Sequence, residues 1–67
     1  MKSSIKIIGI KTSEDVKNIR NAIASNQGVV ACEINKDKGE VSVIYDDYFS
    51  SLDNIIDSIE ILGYTVL

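Results

Sequence analysis

Residues 29–46 read VVACEINKDKGEVSVIYD, and the fold turns on how they are read. Val30, Cys32 and Ile34 alternate with Ala31 and Glu33, which predicts a half-buried strand over Val29–Asn35. Val41, Val43 and Tyr45 alternate with Ser42, which predicts a second strand over Glu40–Asp46. The tetrapeptide between them, Lys36-Asp37-Lys38-Gly39, supplies the Asp and Gly that tolerate positive φ in a tight turn. Two period-two runs joined by four turn residues make a hairpin.

On either side of the hairpin the apolar period lengthens. Upstream, Val16, Ile19, Ala22 and Ile23 fall at i, i+3, i+6 and i+7, one stripe of a helix from Ser13 to about Asn26. Asn26, Gln27 and Gly28 are its stop signal. Before it, Ile5, Ile7, Ile8 and Ile10 are all β-branched and predict a strand over Ser4–Ile10. Downstream, Ser50 or Ser51 caps a second helix whose stripe is Leu52, Ile55, Ile56, Ile59 and Leu62. Gly63 ends it, and Tyr64–Leu67 make a short last strand. The order is β-α-β-β-α-β. The economical way to bury these stripes is a four-stranded antiparallel sheet with both helices on one face, the α+β, ferredoxin-like arrangement. The predicted core is Ile5, Ile7, Val16, Ile19, Ile23, Val30, Cys32, Ile34, Val41, Val43, Leu52, Ile55, Ile56, Ile59 and Leu62.

Sixty-seven residues make a single domain, residues 1–67, with a small core. The net charge of −3 argues against nucleic acid as a partner, because phosphate binding needs a basic face. No apolar run is long enough for membrane insertion, and Met1–Ile10 lacks the apolar run of a signal peptide. One cysteine excludes an intramolecular disulfide and fits a reducing compartment, so a cytoplasmic location is expected. Catalysis is not supported: there is no histidine, no cysteine paired with a base and no Gly-rich phosphate loop.

Several stretches together resemble one family. G-I-x-T-x-x-D (residues 9–15) opens the first helix, G-V (28–29) follows it, V-S-V-I-Y-D (41–46) ends the hairpin, and I-I-D-S-I-E-x-L-G-Y-T-V (55–66) closes the chain. The pattern is similar to the heavy-metal-associated domain, the module of copper chaperones and of the N-terminal tails of metal-pumping P-type ATPases. In that family the first loop reads G-M-x-C-x-x-C, and its two thiolates hold Cu(I) or a similar soft ion. Position by position, the methionine becomes Ile10, the first cysteine Thr12 and the second Asp15. The resemblance therefore implies the family's fold without its thiolate site. No metal and no cofactor are expected.

The residues at those positions have their own logic. Thr12 is a good N-cap, and Asp15 three residues later completes a capping box. Glu14 and Asp15 also put negative charge where the helix dipole favours it. A hydroxyl and a carboxylate are hard donors, unlike the thiolates that select Cu(I). A weak hard-cation site at Thr12, Glu14 and Asp15 is the other reading, although calcium and magnesium want more oxygens than this loop offers. Cys32 reads as a small core residue in phase with Val30 and Ile34, and so as an unreactive thiol. Tyr64 lies where the family places an aromatic or a lysine beside the metal loop, and packs over an inward-pointing Ile10. Tyr48 and Phe49 read as lids over the core. Lys11, Lys17 and Arg20 border the loop, where the family's rim guides docking onto another protein or a domain of the same kind. With Tyr64 they form the candidate partner surface.

Two functional readings follow. The first is a non-catalytic interaction or regulatory module in a metal-handling setting. The alternative is a Cu or Zn binding or transport protein that uses unusual ligands or completes its site between chains.

Overall fold

The computed structural model describes residues 1–67. Strands β1 (Lys2–Ile8), β2 (Val29–Asn35), β3 (Glu40–Tyr45) and β4 (Thr65–Val66) form one sheet. Their order is β2-β3-β1-β4, with every neighbouring pair antiparallel. Helices α1 (Ser13–Ala24) and α2 (Leu52–Glu60) connect them in the β-α-β-β-α-β order. Ile5, Ile7, Val41, Val43 and Tyr45 from one face of β1 and β3 bury into a single cluster with Ile19 and Ile23 of α1 and Ile55 and Ile59 of α2. Both helices therefore share one face of the sheet, and the architecture is ferredoxin-like.

Each helix starts where a hydroxyl side chain accepts an otherwise orphaned backbone donor. Thr12 accepts from Asp15 N, and Ser51 rather than Ser50 accepts from Asn54 N. Asn26, past the end of α1, ties the two helices together. Its Nδ2 donates to the carbonyls of Ala22 and Ile23 at 3.1 and 3.2 Å and to Ser58 Oγ on α2 at 3.1 Å. Ser58 in turn donates to the Ile55 carbonyl at 2.7 Å.

The strand boundaries depart from the sequence reading for pairing reasons. β1 begins at Lys2 because β3 offers partners as far as Ile44, opposite Lys2, and because Met1 N donates to the Tyr45 carbonyl. It ends at Ile8, the last residue that β4 pairs. Gly9 and Ile10 are thereby released into the loop.

Four residues predicted as core, Val16, Val30, Cys32 and Leu62, are placed differently, and of these Val16 is half-buried outside the core cluster. In β2, Val29 pairs with Tyr45 but Ala31 with Ile44, so three residues face two and a β-bulge turns Val30 outward. Val30 is 73% exposed. Beyond the bulge Cys32 and Ile34 return to the core side, opposite Val43 and Val41. They sit half-buried at the sheet edge, so Cys32 is less deeply enclosed than its phase implied. Leu62 is exposed because α2 stops at Glu60 and the chain is already turning. Tyr48 and Phe49 do not lie over the core either. Both are exposed, and their rings stack edge-to-face on each other.

Candidate functional site

The loop after β1 and the first turn of α1 form a closed hydrogen-bonded knot around one carboxylate. Thr12 has extended backbone geometry, as an N-cap requires, and its Oγ1 accepts from Asp15 N at 3.1 Å. Asp15 Oδ2 accepts from Lys11 N at 3.0 Å and from Thr12 N at 3.1 Å. This is the reciprocal capping box that the spacing of Thr12 and Asp15 predicts. The other carboxylate oxygen is also engaged: Asp15 Oδ1 accepts from the Tyr64 hydroxyl at 2.5 Å.

That last contact is not visible in the sequence, because Tyr64 is 49 residues from Asp15. It exists because β4 pairs beside the end of β1, which brings the turn after α2 against the loop before α1. Tyr64 is half-buried and packs against the core, as does Ile10.

The electrostatics follow from the bonding. The Tyr64 hydroxyl, and then the backbone N–H groups of Lys11 and Thr12, stabilise the Asp15 carboxylate and lower its pKa to about 2. The Tyr64 phenol moves the opposite way, upward. Its proton is held by Asp15, and partial desolvation and the Asp15 charge add to the effect. Asp15 is thus ionised and Tyr64 neutral across the physiological range.

A thiolate-type metal centre does not fit this donor set. Both Asp15 oxygens and Thr12 Oγ1 accept hydrogen bonds within the chain, and all are hard oxygen donors. No three His, Cys, Asp or Glu side chains come together in a way that could hold a metal ion. Cys32, the one thiol, lies in the edge strand β2 rather than in this loop.

Lys11, Lys17 and Arg20 are exposed, as the sequence reading anticipated. Lys17 lines a shallow polar depression on α1 together with Ser13, Glu14 and Asn18. The structure therefore brings Thr12, Asp15, Lys11 and Tyr64 together at one end of the sandwich, with Lys17 and Arg20 further along α1.

No family model matches this chain, and no curated protein matches its sequence. Solved structures do match. A CopZ metallochaperone superimposes with a TM-score of 0.97 at 27% identity over the whole of both chains. A CsoZ metallochaperone gives 0.92 at 30% identity, covering 100% of this chain and 96% of its own. A putative copper-ion-binding protein from Bacillus anthracis gives 0.96 at 24% identity, covering 100% of this chain and 94% of its own. The class is the ferredoxin-like α+β sandwich. Within it, this chain is by fold a heavy-metal-associated, metallochaperone-like domain. No helix is long and apolar enough to cross a membrane.

Proposed function

We propose that this domain keeps the metallochaperone scaffold but acts through protein contact, as a non-catalytic interaction or regulatory module in copper or heavy-metal handling in the cytoplasm. The observation that carries this reading is the saturation of Asp15. At a position that the family resemblance matches to a metal-binding cysteine, this chain has a carboxylate whose two oxygens accept from Lys11 N, Thr12 N and Tyr64 Oη. An ion would have to displace three hydrogen bonds to reach ligands that suit soft metals poorly. In this reading Lys11, Lys17, Arg20 and Tyr64 meet a partner protein or a second domain of similar fold. The exposed positive charges of Lys11, Lys17 and Arg20 steer the encounter toward an acidic surface.

The test is a graft. The double substitution Thr12→Cys with Asp15→Cys places two thiols three residues apart at the head of α1, and the folded variant is expected to acquire Cu(I) binding. A folded variant that fails to bind Cu(I) would show that this loop is not the counterpart of the family's metal loop, and the reading would lose its basis.

A further inference from the structure

The carboxylates of this chain are unevenly placed. Residues 39–67 contain no lysine or arginine, yet carry Glu40, Asp46, Asp47, Asp53, Asp57 and Glu60. Asp53, Asp57 and Glu60 recur at i, i+4 and i+7 on exposed positions of α2, while Ile55 and Ile59 are buried. The stripe they form runs about 10 Å along the helix. Only its first member serves the helix. Asp53 sits in the first turn, where the dipole favours an anion. Asp57 and Glu60 lie toward the negative end, and no cation offsets them in the last turn.

At the N-terminal end of the same helix, the connection from β3 holds two aromatic rings out in water. Tyr48 is 85% and Phe49 55% exposed, with ring centroids 4.9 Å apart and planes at 78°. The connection is braced from several sides. Asp46 N donates to the Gly28 carbonyl at 2.8 Å, the Asp46 carbonyl accepts from Phe49 N and Ser50 N, each at 3.1 Å, and Asp46 Oδ1 accepts from Tyr48 N at 2.9 Å. The rings are therefore presented on a fixed backbone, beside Asp47. Aromatic faces next to unneutralised carboxylates attract cations by charge and by the ring quadrupole together.

We propose that the outer face of α2 and the Tyr48–Phe49 pair form a docking surface for a basic amphipathic segment of a partner protein. Its cations, spaced at i, i+4 and i+7, meet Asp53, Asp57 and Glu60, and a further arginine or lysine lies over the aromatic rings. Charge complementarity selects this occupant: a nucleic acid or an anionic lipid surface would be repelled by the same carboxylates. The surface does not use Thr12 or Asp15, so it stands independently of the metal-loop reading.

The experiment is a titration of the 15N-labelled domain with two alanine-based helical peptides, one with arginines at i, i+4 and i+7 and a further arginine one turn beyond each end of that stripe, and one with glutamates at all of these positions. Sedimentation velocity without peptide establishes the oligomeric state first. The arginine peptide is expected to shift backbone resonances of residues 46–60, with an affinity that falls as salt rises. The glutamate peptide is expected to shift none. Tyr48→Ala with Phe49→Ala should weaken binding roughly two- to thirtyfold, and Asp53→Asn with Asp57→Asn should weaken it with the rings intact. Equal binding of both peptides, shifts confined to other residues, or a ring variant that binds like the parent would overturn the proposal. So would self-association of the domain through this face, which would make the occupant a second copy of the chain.

Discussion

Gly28→Ala should unfold a large fraction of this protein's stability, and Gly63→Ala should not. Both glycines have left-handed backbone, φ +92° and φ +101°. A side chain at either position costs about 1–2 kcal/mol of backbone energy, of which roughly 0.4–1 kcal/mol is returned by a stiffer unfolded chain. The two sites differ in the space around them. A Cβ on Gly63 meets nothing within 4 Å, whereas a Cβ on Gly28 meets Phe49 Cβ at 2.8 Å and the Asp46 carbonyl oxygen at 3.1 Å. Neither neighbour can rotate away. Phe49 Cβ is fixed by its backbone, and the Asp46 carbonyl accepts from Phe49 N and Ser50 N. Overpacking of this kind adds about 1–3 kcal/mol. The net loss at Gly28 is then about 1–5 kcal/mol, against roughly 3–10 kcal/mol of total stability for a chain of 67 residues. Urea denaturation with circular dichroism is the assay. At an m-value near ~1 kcal/mol/M, the midpoint should fall by more than about 1 M for Gly28→Ala and by less for Gly63→Ala. Equal midpoints for the two variants would refute the steric part of the reasoning.

Three further outcomes are expected. Ser50 is 5% exposed and its hydroxyl oxygen has no hydrogen-bond partner, so Ser50→Ala should raise stability by about 1–3 kcal/mol in the same denaturation assay. The Asp15 carboxylate should titrate near pH 2 by carboxyl-carbon NMR, and in Tyr64→Phe its midpoint should rise toward the ordinary 3.8. Because its folded pKa lies below the unfolded value, the stability Asp15 contributes is complete above about pH 4 and is lost as pH falls through about 2. Cys32 packs against the core from a half-buried position, so Cys32→Val should leave the fold intact and change stability by less than about 1.5 kcal/mol, while a bulky thiol reagent labels the native protein much more slowly than the denatured one.

The sequence carried the architecture because the change of apolar period is local. The stripe of Ile19 and Ile23 and the alternation of Val41, Val43 and Tyr45 each report one buried face, and all five residues are buried. The capping box was legible for the same reason, since Thr12 and Asp15 are three residues apart. What was not legible depended on pairing across the chain. The bulge at Val29–Ala31 is a mismatch between two strands, so the phase of Val30 could not be read from β2 alone. Leu62 continues the helical spacing of Ile55 and Ile59, but the helix stops short of it. The exposure of Tyr48 and Phe49 follows from how the Asp46 carbonyl braces their loop. The Asp15–Tyr64 bond joins opposite ends of the chain and is a product of the finished sheet.

The central claim is that Asp15, tied to Lys11, Thr12 and Tyr64, closes the loop to soft metal ions. A Cu(I) titration under anaerobic conditions, in competition with a high-affinity colorimetric chelator, tests it directly. The account predicts that the unmodified domain withdraws no Cu(I) from the chelator at stoichiometric concentration. Withdrawal of one equivalent per monomer, or of half an equivalent with concurrent dimerisation, would contradict it.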